Sequence, residues 1–191
     1  MNTAMGRVLG IDPGLSRCGY GAVDRRGASP TAVAYGVIRT PPGEDLSRRL
    51  AMLEAELERL VQELRPAAVA VERVLFQANV RTAMSVGQAS GLALAVAARA
   101  GVPVVHYSPN EVKLAVTGYG AADKNQVQHM VARLLQLEAP PRPPDAADAL
   151  ALALCHTWGE PMRAAAGAHA TEPGNGFSRA VAAALSKEER R

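Results

Sequence analysis

The chain has 191 residues, 48% of them hydrophobic and 20% charged, with a formal net charge of +3 and a pI near 9.1. That length suits one globular domain of ordinary size plus an appendage, with enough apolar content for a sizeable core. No apolar stretch approaches the ~18 residues of a membrane span, and no charged-then-apolar signal segment precedes Gly6, so a soluble cytoplasmic protein is expected. Cys18 and Cys155 fall in apolar patterns without C-x-x-C spacing and read as reduced core thiols, not as a disulfide or a zinc site. The basic balance favours an anionic partner such as nucleic acid only weakly.

Elements are predicted in chain order as follows. Val8–Asp12, Cys18–Val23 and Thr31–Arg39 read as strands, joined by turns at Pro13-Gly14 and around Arg26-Gly27, which makes an antiparallel opening meander. Leu46, Leu50, Leu53, Leu57, Leu60 and Leu64 then recur at steps of four and three between charged residues, the pattern of an amphipathic helix packed on a sheet. A coiled coil would need a longer heptad run. Ala67–Val71 reads as another buried strand, closed by Glu72. Asn79–Gly101 is an Ala-rich helix in which Gly87, Ser90 and Gly91 allow close approach of a neighbour, within the domain or across a dimer. A short strand follows at Val102–His106, then helices at Ser108–Val116, Asp123–Leu137 and from Pro143 to His156, several opened by cap-type residues. Residues 1–160 make the domain, an α/β unit with a mixed sheet. Residues 161–191, Ala- and Gly-rich with little periodicity, are expected as a disordered or loosely docked tail, with Ser178–Leu185 a weak helix candidate.

The chemistry rests on four carboxylates. Asp12 ends an apolar strand and is followed at once by Pro13 and Gly14, and Glu72 ends a second strand. Asp145 and Asp148 are three apart at a helix start and share one face of its first turn. Taken singly, each has an ordinary explanation: a turn-forming Asp, a solvated strand end, a helix cap with a dipole-complementing partner.

Together they carry a resemblance. "GIDPG" with "GYG" behind it, "VER" after a strand, "GQASG", "DKNQVQHMV" and "DAADALALA" stand in one order from residue 8 to about 157, and this set resembles the RuvC Holliday-junction resolvases. The resemblance implies a ribonuclease H-like fold, with a mixed five-stranded sheet flanked by helices, in which Asp12, Glu72, Asp145 and Asp148 converge on divalent metals. Some relatives carry His where Asp145 stands. It further implies a homodimer that resolves four-way DNA junctions by paired symmetric nicks, working with the RuvA and RuvB branch-migration proteins. Lys113 in "EVK" and Lys124 in "DKNQVQH" match lysines that the family places near the DNA backbone, and Arg73 and Arg81, flanking the Glu72 loop, are weaker candidates for phosphate contact. Relatives often carry a base-stacking aromatic three residues after the strand-end Glu. Here that place is Leu75, and Phe76 follows it.

Elementary electrostatics agrees with the implied metals. Four anions ~5 Å apart would repel by ~3 kcal/mol per pair at an effective dielectric near 20. Hard oxygen ligands of this kind suit Mg²⁺ or Mn²⁺, and two such ions ~4 Å apart can promote in-line phosphodiester hydrolysis. His129 reads as a packing residue, and His106, His156 and His169 show no ligand spacing. Other classes are weighed against this reading. Actin- and Hsp70-like ATPases share a "GID-x-G" opening but need a second Gly-rich phosphate loop, which is absent here. Cleavage assays on junction, hybrid and linear duplex separate this reading from a nuclease for RNA–DNA hybrids or a structure-nonspecific nuclease, and the intact carboxylate set argues against a junction-binding protein without catalysis.

Overall fold

The computed structural model describes residues 6–25, 29–73 and 80–167. Leu75 and Phe76, the side chain of Arg81, His169, the turn at Arg26-Gly27 and residues 168–191, with the expected helix at Ser178–Leu185, lie outside the described residues. Met1–Gly159 form one compact unit and Glu160–Arg191 a second. No helix among the described residues is long and apolar enough to cross a membrane.

The first unit is built on a five-stranded sheet of order β3-β2-β1-β4-β5, with β1 Val8–Asp12, β2 Arg17–Asp24, β3 Thr31–Arg39, β4 Ala68–Glu72 and β5 Val104–Tyr107. The opening meander is antiparallel, and β1–β4 and β4–β5 are parallel, so the sheet is mixed. Parallel neighbours need crossovers, and helices α1 (Leu46–Leu64) and α2 (Val80–Arg99) supply them. Helices α3 (Pro109–Thr117), α4 (Lys124–Leu134) and α5 (Pro144–Gly167) follow. The helix expected to end at His156 therefore continues to Gly167.

Strand alternation sorts the core into two layers. Leu9, Ile11, Cys18, Ala22, Val69 and Val71 face α1 and α2, where Leu53, Leu57 and Leu60 are buried against them. Val8, Val23, Ala70 and Tyr107 face the other way, toward α3, α4 and α5. The leucine stripe of α1 thus packs on a sheet, although Leu46 at its start stays exposed. Arg99 clamps α2 to α1 by pairing with Glu54 and Glu58 at 2.6 and 2.8 Å. Both cysteines are buried free thiols, and burial pushes the Cys18 thiol up to about 12.

Ser108 and Asp123 cap α3 and α4, each in a reciprocal capping box, with Glu111 and Gln126 as the return partners. The N-terminal end of β1 is fastened by a bidentate pair, in which Arg7 donates to Asp24 at 2.8 and 3.1 Å and also to the Leu64 carbonyl at 2.7 Å. His129, expected in the packing, is instead exposed on α4, its Nδ1 lying 2.8 Å from the Asn125 carbonyl oxygen. Among the described residues, the close approach expected at Gly87 and Gly91 does not occur: a Cβ at either would meet nothing within 4 Å, while Ser90 between them is buried.

Candidate active site

The same alternation that builds the core aims the strand-end carboxylates. Val8, Gly10 and Asp12 share one face of β1, and Ala70 and Glu72 share that face of β4. Because β1 and β4 run parallel with Ile11 opposite Val71, Asp12 and Glu72 end side by side, both toward α5. They sit at the carboxyl ends of their strands, where open α/β sheets form their ligand crevices.

Helix α5 is brought down onto those ends by glycines. A Cβ at Gly10 would run into the Ala149 carbonyl oxygen, one at Gly19 into the Asp145 carbonyl oxygen, and one at Gly21 would lie 2.7 Å from the Leu150 nitrogen. No residue but glycine lets this helix rest directly on β1 and β2. The motif glycines of "GID" and "GYG" therefore have a packing role, and its product is position. Asp12 and Gly19 are opposite each other in the β1–β2 ladder, so the Asp145 turn of α5 is seated beside Asp12. Asp148 lies one turn further along the same face.

Asp12, Glu72 and Asp148 border one cavity of about 360 Å³ together with Lys113, Lys124 and the apolar Val112, Val127 and Leu152. Asp145 does not line it. Its carboxylate turns to the Arg17 guanidinium at the start of β2, a contact that closes 128 residues of chain. Lys124 Nζ stands 2.7 Å from Asp148 Oδ2. Each of the two α5 carboxylates is thus matched by a cation from another element.

The remaining electrostatics shows how strained this cluster is. Burial, then the charges of Asp148, Glu72 and Asp145, push the Asp12 carboxyl up to about 7, with Lys124 pulling the other way. Burial and Asp148 raise Glu72. Burial also raises Asp148, against the hydrogen bond and charge of Lys124. Burial opposes the Lys124 charge, but its bond to Asp148 and the charges of Asp148, Asp12 and Asp145 outweigh it and raise its affinity for the proton. A cavity whose burial and crowding favour the protonated carboxyls in this way is short of positive charge.

Among the described residues, no three His, Cys, Asp or Glu side chains already clasp a common point. The donor set nonetheless fits a hard divalent cation: every candidate ligand is a carboxylate oxygen, three of them share a cavity, and they raise one another's proton affinity. Arg73 is exposed beyond Glu72, its N–H donating to the Tyr107 carbonyl at 2.7 Å. Tyr107, opposite Glu72 in the ladder, bonds through its hydroxyl to His156 Nδ1 at 2.9 Å and so ties β5 to α5. His156 is a core partner, in keeping with its lack of ligand spacing. Sequence reasoning missed Arg17, because nothing local marks a residue whose partner is so distant along the chain.

Comparison with known proteins gives this arrangement its context. Residues 8–156 match the family "Crossover junction endodeoxyribonuclease RuvC". A protein of that description from Salinispora arenicola is 57% identical over 89% of this chain and 99% of its own length, and one from Streptomyces avermitilis is 55% identical over 82% and 90%. Thermus thermophilus RuvC in complex with a Holliday junction substrate superposes with a TM-score of 0.79 at 40% identity, covering 82% of this chain and 96% of that one. The yeast mitochondrial Holliday junction resolvase, 18% identical with a TM-score of 0.57 over 79% of this chain and 78% of its own, shares the fold. With the glycine-seated helix and the strand-end carboxylates inside the matched span, the chain belongs to the RuvC family of crossover junction endodeoxyribonucleases, nucleases that resolve Holliday junctions.

Proposed function

We propose that the cavity bordered by Asp12, Glu72 and Asp148, with Asp145 at its side, is the catalytic centre, and that it hydrolyses one phosphodiester in each of two equivalent strands of a four-way DNA junction. The observation that carries this reading is the cluster of mutually repelling carboxylates at the carboxyl ends of β1 and β4, facing Lys113 and Lys124. Asp12, Glu72, Asp145 and Asp148 would hold the divalent cations, Mg²⁺ or Mn²⁺ by their preference for hard oxygen donors. Bound there, such cations supply water activation and charge neutralisation at the scissile phosphodiester.

The chain's own residues do the rest. Lys113 and Lys124, on the α3 and α4 side of the cavity, attract and hold the phosphate backbone. Lys124 also lies in the first turn of α4, whose free amides favour anions. Seating of α5 on glycine fixes the backbone that carries Asp145 and Asp148, so only side chains need to turn when cations and strand bind.

A junction offers two equivalent strands, and one chain offers one such centre, so a C₂ homodimer is the matching assembly. Gly87 and Gly91 support α2 as its interface, since both are exposed with open space above them and exposed Met84 lies one turn away on the same face. Leu75 and Phe76 remain the candidates for stacking on a base at the crossover, and Arg73 and Arg81 those for phosphate contact. The reading places the protein in the cytoplasm, acting with RuvA and RuvB. A substrate panel tests it: purified protein with Mg²⁺ should nick an immobile four-way junction and leave linear duplex and RNA–DNA hybrid intact, and EDTA should abolish the nicking. Equal cutting of duplex or hybrid would remove the junction assignment.

A further inference from the structure

Arg17 lies outside the cavity, and no role has yet been given to it. It opens β2, on the turn that leads out of Asp12, and its guanidinium is bound to the Asp145 carboxylate. The side chain of Arg17 is 44% exposed and that of Asp145 only 23%, so the pair reaches from the site's edge into solvent. Arg17 has one further neighbour of consequence. In the β2–β3 ladder it stands opposite Arg39, an exposed arginine whose side chain makes no hydrogen bond or ion pair among the described residues. Like charges set opposite each other weaken a sheet. Asp145 relieves that pair for as long as its carboxylate is free to do so.

The two demands on Asp145 compete. One guanidinium nitrogen of Arg17 is bound to Asp145 Oδ2, a divalent cation seeks the same carboxylate, and an oxygen that ligates a cation is a poorer acceptor for a neighbouring guanidinium. When a cation takes Oδ2 of Asp145, Arg17 is left without that acceptor, beside Arg39, on the exposed lip of the centre. On the far side the cavity already carries Lys113 and Lys124. A strand lying across the carboxylates would then meet cations on both banks.

Resting on the catalytic reading above, we infer that Arg17 is an exchange residue: it neutralises Asp145 in the metal-free protein and passes to a backbone phosphate of the bound DNA strand once a divalent cation takes that carboxylate. Metal loading and strand binding are thereby coupled through one side chain. Arg17 is a positioning residue and takes no part in bond breaking.

The test uses the full chain and reads binding, not turnover. Mn²⁺ affinity is measured by calorimetry without DNA, and affinity for a four-way junction is measured in EDTA and in Ca²⁺ across a salt series. Arg17→Gln removes the competitor for Asp145, so Mn²⁺ should bind about two- to fivefold tighter, the scale of a half-exposed ion pair. Junction affinity of the same variant should fall several-fold in Ca²⁺, with the salt slope smaller by about 1, and should be unchanged in EDTA. Arg17→Lys, which keeps the charge, should restore most of the Ca²⁺ binding. Weaker Mn²⁺ binding by Arg17→Gln would show that the guanidinium merely holds Asp145 in place, and equal junction binding in Ca²⁺ would show that it meets no phosphate. Either result overturns the inference and leaves the catalytic reading standing. A wild-type protein that binds neither Mn²⁺ nor the junction would overturn both.

Discussion

Replacing Asp12 by Asn should stabilise the metal-free protein, because the carboxylate is where the fold bears the most electrostatic cost. Its proton affinity rises from an ordinary value near 3.8 to about 7, so the folded state holds the Asp12 proton far more tightly than the unfolded chain does. The sign follows: this group's contribution is most favourable below pH 4, is lost progressively as pH rises to 7, and stays lost above that. At 1.36 kcal/mol per pH unit, keeping this carboxyl in the fold costs ~4 kcal/mol at pH 8 and less than half of that at pH 5. Asn keeps the shape without the charge and is indifferent to pH. Urea unfolding in EDTA should therefore find Asp12→Asn more stable than wild type by ~4 kcal/mol at pH 8 and by less than half as much at pH 5. Adding Mg²⁺ at pH 8 should raise the wild type toward the variant, since cation binding to the native state alone stabilises it. A variant that is less stable than wild type at pH 8, or a difference that does not change with pH, would refute the account of this site.

Other substitutions separate chemistry from architecture. Asp148→Asn removes one anionic ligand and frees Lys124 from its 2.7 Å partner, so junction cleavage should drop by roughly a hundredfold or more while gel-shift affinity for the junction holds or improves. Gly10→Val would drive a side chain into the backbone of α5 at Ala149, and should cost ~1–3 kcal/mol in urea unfolding along with most of the cleavage rate. Gly87→Leu, by contrast, enters open space on α2 and should leave the monomer's fold intact while light scattering shows a monomer mass at micromolar concentration. A persisting dimer would move the interface elsewhere.

Much of this fold is visible locally in the sequence, and the parts that are not share a physical reason. Val8–Asp12, Thr31–Arg39 and Leu46–Leu64 are found with the expected bounds, because alternation and three-four leucine spacing are properties of a few adjacent residues. The ends that shifted are set by tertiary contacts. β5 begins at Val104, two residues late, after Pro103, which has no N–H for the ladder. The last strong helix outruns its motif by about three turns, running on past Gly159 and Pro161, residues that ordinarily mark a helix end. The motifs group Asp12, Glu72, Asp145 and Asp148, but nothing local shows how Asp12, Glu72 and Asp148 come to line one cavity with Asp145 turned to Arg17 beside it. That depends on the parity of two parallel strands and on glycines that matter for what lies above them. Arg17 and the exposure of His129 belong to the same class of facts, fixed by which surfaces meet and invisible to spacing.

The account stands most directly on where the protein cuts. Wild-type protein incubated with Mg²⁺ and an immobile four-way junction, each strand end-labelled in turn, should yield two nicks at symmetry-related positions near the crossover, and Asp12→Asn should yield none while still binding. A single unpaired nick, cuts spread along the arms, or undiminished cutting by Asp12→Asn would contradict it.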